Sequence, residues 1–129
     1  MSVPPPVGFS DFSIVHTLLE VYADFDRLAT TLTKHHRYTI GTKIFNELLG
    51  ILELTLLAIT KNGSSRWLIL NKIDVRLKLI QLLLRLLFQM QAIYQKKYIH
   101  LSGRLIELSK MNGAWLRDTK HANENDQET

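Results

Sequence analysis

The sequence predicts an all-α protein, an up-down-up-down four-helix bundle, and three observations carry that expectation. Apolar residues recur at three- and four-residue steps through four long stretches. The connections between them are short and rich in turn-forming residues. No run alternates with the two-residue period of a strand. A chain of 129 residues closes one modest core and is too short for two.

The first helix is expected from about Asp11 to Thr33, with Ser10 as its cap and Asp11 in its first turn. Phe12, Val15, Leu18, Tyr22, Phe25, Leu28 and Leu32 supply its apolar stripe. A polar connector, Lys34 to Tyr38, follows. Its paired histidines His35 and His36 point apart on adjacent positions and have no third ligand at metal-binding spacing, so a solvated turn is expected and no metal site. Thr39 is the expected cap of the second helix, whose repeat runs through Ile40, Ile44, Leu48, Leu52, Leu56 and Ile59. Gly41 and Gly50 lie inside it. Each costs about 1 kcal/mol against alanine, and close approach of a neighbouring helix is the expected compensation. Glu47 and Glu53 read as surface or ion-pairing carboxylates rather than a di-iron pair.

Lys61-Asn62-Gly63-Ser64-Ser65 ends the second helix and caps the third. The third helix, Arg66 to Tyr94, organises the chain. At 100° per residue its apolar side chains take three directions: Leu68, Leu79 and Leu86; Ile73, Leu77 and Leu84; and Ile69, Ile80 and Leu87. A helix apolar on so many sides needs cover on as many sides. Val3, Val7 and Phe9 of the Pro-rich start offer too little of it, since a buried Leu is worth about 1.5–3 kcal/mol. The expectation is therefore a helix shared between its own bundle and a neighbouring subunit. Gln95-Lys96-Lys97 marks its end or a tight connection. Tyr98, Leu101, Leu105, Leu108, Met111 or Asn112, and Trp115 form the narrow stripe of the fourth helix, with Gly103 and Gly113-Ala114 leaving room for close approach. The expected division is a disordered Pro-rich start over 1–9, the bundle over 10–118 and a disordered acidic tail over 119–129.

Charge is distributed unevenly along the chain. Residues 1–60 hold four Lys/Arg against six Asp/Glu, a net −2, whereas residues 61–120 hold twelve against three, a net +9. Such asymmetry points to a polyanion-facing surface. The candidate binding residues for nucleic acid or a protein partner are Arg66, Lys72, Arg76, Lys78, Arg85, Lys96, Lys97, Arg104, Lys110 and Arg117. Lysines and arginines at helix edges neutralise phosphates without reading bases.

Other chemistry finds little support. With no cysteine there are no disulfides, thiolate metal sites or thiol nucleophiles. No Gly-rich phosphate loop, His-Glu-x-x-His or nucleophile elbow occurs, so neither an enzyme nor a cofactor is expected. The apolar runs are broken by Glu53, Gln81 and Arg85, which argues against a membrane span. The opening residues are not a signal peptide, and a cytoplasmic location is expected.

Four segments together bring a family into view: Lys34-His35-His36-Arg37-Tyr38-Thr39-Ile40-Gly41, Leu48-Leu49-Gly50, Leu84-Arg85-Leu86-Leu87, and Leu105 to Leu116 with its Gly113-Ala114-Trp115. In these the chain resembles the accessory variability determinant (Avd) proteins of diversity-generating retroelements. The resemblance implies a barrel-like homo-oligomer, a homopentamer, of four-helix bundles without catalytic activity. It further implies binding to the retroelement reverse transcriptase and to RNA or DNA, in support of mutagenic retrohoming. Arg85 matches the family's helix-three arginine and takes a partner-binding role by that likeness. Gln81, where relatives often carry arginine, and Asn112, where a small or apolar residue is common, depart from the pattern. The alternative is a small structural or interaction bundle of the kind encoded in ribosomal RNA intervening sequences.

Overall fold

The computed structural model describes the backbone of residues 9–128 and the side chains of residues 13–120. The described residues form helices α1 (Phe9–Ala29), α2 (Lys34–His36), α3 (Thr42–Thr60), α4 (Gly63–Gln89) and α5 (Gln95–Glu128), with a π-helical turn, Arg37–Gly41, joining α2 to α3. There is no strand among them. The four long helices pack in a ring, α1 on α3, α3 on α4, α4 on α5 and α5 back on α1, so that chain neighbours are also spatial neighbours. This is the all-α, four-helix arrangement that the apolar periodicity predicts.

The core is a set of single stripes. Ile14, Leu18, Val21, Phe25 and Leu28 come from α1, Ile44, Leu48, Ile51 and Ala58 from α3, and Leu101, Leu105 and Leu108 from α5. From α4 come Ile69, Leu70, Ile73, Leu77, Ile80, Leu84 and Leu87. Phe25 and Tyr22 meet Phe45 with ring centroids 4.8 and 5.2 Å apart, fixing the α1–α3 seam. Phe88 stacks on Tyr98 at 4.7 Å, fixing one end of the α4–α5 seam.

Several boundaries differ from the sequence reading. The first helix stops at Ala29 rather than Thr33, because the hydroxyls of Thr30 and Thr31 donate back to the carbonyls of Arg27 and Leu28. Residues 34–38 are helical rather than an irregular connector, with Lys34, His35 and Tyr38 exposed as expected of a solvated segment. Thr33, extended at ψ 157°, is the cap that accepts from the backbone N–H of His36, while Thr39 donates its hydroxyl back to the His35 carbonyl at 2.8 Å. The third helix ends at Gln89 rather than Tyr94. There the N–H of Ala92 bonds the Leu87 carbonyl and that of Gln91 bonds Phe88, with Gln91 at φ 60°. Those two bonds make a Schellman termination in which Gln occupies the left-handed position that usually reveals itself as glycine. Asn62 and Gly63, not Ser64 or Ser65, lead into α4.

Of the acidic tail expected over 119–129, the backbone is described to Glu128. No Gly or Pro follows Gly113, so nothing in the backbone chemistry stops the helix, and α5 continues to Glu128 with Thr119 buried. The Pro-rich start expected over 1–9 lies, Phe9 apart, outside the described residues. Of the glycines expected to admit a neighbouring helix, Gly50 does so and Gly41 and Gly103 do not. A Cβ at Gly41 would stand 3.2 Å from the His36 carbonyl oxygen, one at Gly50 would meet the Arg76 guanidinium at 2.8 Å, and one at Gly103 would meet nothing within 4 Å.

Candidate interaction surface

The ten basic candidates divide into those the fold consumes and those it leaves available. Arg66 is consumed: its Nε donates to the Ala58 carbonyl at 2.9 Å and its Nη2 to Ile59 at 3.3 Å, and the guanidinium lies 5.3 Å from the Trp115 ring centroid. It adds to the Lys61 N–H bond on Ala58 at the end of α3 and ties α4 to α5. Arg76 reaches across the α3–α4 seam to Glu47 Oε2 at 3.1 Å, and Lys43 holds the other oxygen of that buried carboxylate at 3.0 Å. Arg104 sits among Glu20, Asp24 and Glu107 at 3.5, 4.0 and 2.9 Å, binding α5 to α1. Lys78 pairs with Asp74 one turn earlier at 2.9 Å.

Lys72, Arg85, Lys96, Lys97, Lys110 and Arg117 are exposed and have no ion-pair partner among the described residues. Arg85 and Lys110 stand near the α4–α5 seam. Gln81 bonds Ser109 across the α4–α5 seam at 3.3 Å, Arg85 follows Gln81 by one turn, and Lys110 follows Ser109 by one residue. Lys96 and Lys97 stand at the first turn of α5 near the exposed Tyr94. His100, part of the same sequence cluster, instead turns to Asp24 at 3.2 Å.

The apolar character of α4 resolves into two stripes. Two of the three directions expected for it enter the core, and the third does not: Leu68 is 57% and Leu86 40% exposed, with Leu79 half-buried. Val75 and Leu82, 65% and 62% exposed, extend that open face. Leu68, Lys72, Val75, Leu79, Leu82 and Leu86 thus follow one another at steps of four, three, four, three and four, a second coiled-coil seam on the outside of the helix. The sequence reading passed over Val75 and Leu82, although that spacing was present to be counted. Arg76 edges the stripe toward α3, where a groove is lined by Glu47, Leu68, Asn71, Lys72, Val75 and Leu79. Lys78 and Arg85 edge it toward α5. A contiguous apolar face of this kind, bordered by cations, is the signature of a contact surface.

A second apolar face lies across α1 and α3, where Leu19, Leu49 and Leu56 are exposed. Tyr22 and Phe45 mark the seam, and Leu19 and Leu49 stand one turn along it from each.

Among the described side chains no cluster of three or more His, Asp or Glu is placed to hold a metal ion; His35 and His36 only pack edge to face. No described helix is long and apolar enough to cross a membrane. No protein-family model matches the chain, and neither the curated proteins nor the solved structures compared with it give a match.

Proposed function

We propose that this chain is a non-enzymatic, homo-oligomeric adaptor of the Avd type, which binds a reverse transcriptase and nucleic acid in support of mutagenic retrohoming in the cytoplasm. The observation that supports it above others is the open stripe of α4, whose exposed leucines and Val75 have Lys72 among them and Arg85 at one edge. Full burial of such a side chain is worth about 1.5–3 kcal/mol, and covering the half or so of each that is still exposed recovers a corresponding part of it. The unpaired cations of α4 and α5 supply the polyanion contact, which needs charge and reach but no base-reading geometry. The polymerase and the count of five subunits rest on the family resemblance.

The experiment is a pull-down with a retroelement reverse transcriptase, alongside light scattering of the isolated protein. Charge reversal by Arg85→Glu is expected to abolish polymerase association while the helical circular dichroism stays intact. Unchanged association rejects the partner role of that edge, and a monomer at micromolar concentration rejects the oligomer.

A small interaction bundle without a polymerase partner is the second reading. It is favoured by the internal engagement of Arg66, Arg76, Lys78 and Arg104, which removes four of ten candidate cations from any ligand. Absence of a reverse-transcriptase gene and of repeats differing at adenines in the genomic neighbourhood decides for it.

A further inference from the structure

The two open apolar faces carry matching sequences with opposite charges. On α4, Lys72 stands between Leu68 four residues before and Val75 three residues after. On α3, Glu53 stands between Leu49 four residues before and Leu56 three residues after. All six are at the surface, and neither Lys72 nor Glu53 has an ion-pair partner among the described residues. Each triplet spans about 10 Å along its helix. Laid side by side they set Leu68 on Leu49, Lys72 on Glu53 and Val75 on Leu56.

We propose that the α4 stripe of one copy docks on the α1–α3 face of a second copy, with Lys72 meeting Glu53 in the seam. The inference rests on the homo-oligomer proposed above and specifies its faces. Charge selects this pairing over the alternatives. Two α4 stripes in register set Lys72 against Lys72, and two α3 stripes set Glu53 against Glu53, whereas the cross pair satisfies both. A single charged position within an apolar seam is how coiled helices fix partner and register.

Charge around the two seams points the same way. Asp26 and Glu53 are the carboxylates without an ion pair among the described side chains of α1 and α3, and Asp26 follows Tyr22 by one turn on the edge that faces α3. On α4 the charged residues without one are all cations, Arg66, Lys72 and Arg85, and of these Arg66 is taken up by the Ala58 and Ile59 carbonyls. The face carrying spare acid is therefore separate from the face carrying spare base, and both are lined with exposed leucine. Because the two faces belong to different helices, the contact is heterologous. Each copy then offers a free α4 stripe and a free α1–α3 face, so assembly continues head to tail and ends in a ring where the rotation between copies closes.

The test is sedimentation velocity on the full chain, comparing Glu53→Lys, Lys72→Glu and the double exchange, each checked for unchanged helical circular dichroism. Each single reversal is expected to raise the subunit dissociation constant at least about tenfold, and the double exchange to restore most of the loss. Leu82→Asp, at an exposed position, is the second variant and is expected to dissociate the assembly without unfolding the bundle. An assembly dispersed by Leu82→Asp but indifferent to Glu53→Lys overturns the pairing and leaves the oligomer standing, through two α4 stripes instead. A wild-type chain that sediments as a monomer overturns both.

Discussion

Arg37 and Arg66 stand in the same relation to the helices that precede them. Arg37 Nε donates to the Ala29 carbonyl at 3.1 Å and its Nη2 to Thr30 and Leu32, while Arg66 Nε donates to Ala58 at 2.9 Å and its Nη2 to Ile59. Each arginine reaches back eight and seven residues, over a short connection, to carbonyls of the last turn, adding a second bond at Ala29 and Ala58, which already accept the N–H groups of Leu32 and Lys61. A positive charge at a helix C-terminus also meets the negative end of its dipole. Two turns of the bundle are thus locked by one device.

These two side chains are predicted to act on stability and not on ligands. Arg37→Met and Arg66→Met should each lower the free energy of unfolding by about 1–3 kcal/mol, the worth of charge-assisted hydrogen bonds that are half-buried. Urea denaturation measures it. Arg66→Met should leave the salt dependence of nucleic-acid binding unchanged, and a shallower dependence with undiminished stability would return Arg66 to the binding surface.

Asn112 is fully buried, its Nδ2 donating to the Leu70 carbonyl at 2.9 Å and its Oδ1 left without a partner. An acceptor stranded in the core costs about 1–3 kcal/mol, and the Leu70 carbonyl keeps its place in the α4 backbone without it. Asn112→Leu is therefore expected to raise stability by about 1 kcal/mol. Asn112→Asp, which places an unpaired charge at the same point, is expected to lower it by about 3 kcal/mol at neutral pH. A destabilised leucine variant would mean that the single bond to Leu70 outweighs the stranded oxygen.

The core was legible in the sequence because burial imposes a period: Leu101, Leu105 and Leu108 announce an inward face whatever surrounds them. The fates of the arginines were not legible. Arg66 and Arg85 look alike in sequence, and what separates them is that the chain turns back at residues 61–62 and brings the Ala58 carbonyl under one of them. Glu47 and Glu53 differ in the same way, since only Glu47 lies on the edge of α3 that faces Arg76. The end of α4 was misplaced because Gln91 takes a left-handed conformation that composition assigns to glycine. The outer stripe could have been read in full, as Val75 and Leu82 keep the same three- and four-residue steps as the leucines around them.

The glycines separate into those the fold requires and those it does not. A Cβ at Gly103 meets open space, so Gly103→Ala should gain about 0.5–1 kcal/mol from helix propensity. At Gly41 the added carbon stands 3.2 Å from the His36 carbonyl oxygen, backbone held by the π turn, and the propensity gain is lost to overpacking. Gly41→Ala should therefore fall at least about 1 kcal/mol below Gly103→Ala in thermal or urea unfolding. Equal effects would show that the π turn relaxes freely.

The last prediction concerns which cations meet a polyanion. Lys96, Lys97, Lys110 and Arg117 are exposed on α5 and unpaired among the described residues, whereas Arg76 and Arg104 are held by carboxylates. A phosphate contact releases a condensed counterion for each cation engaged, and the logarithm of affinity then falls with the logarithm of salt by about 0.9 per contact on duplex DNA and about 0.7 on a single strand. Replacing all four with glutamine is expected to flatten that slope by about 3–4 units on duplex DNA if every one is engaged, with little change in stability, because no intramolecular bond is lost. Arg76→Gln should do the reverse, leaving the slope in place while loosening the α3–α4 seam, since Glu47 then keeps Lys43 alone. Fluorescence anisotropy between about 50 and 200 mM salt separates the two behaviours. A slope that follows Arg76 and ignores the four residues of α5 would move the polyanion to the α3–α4 groove.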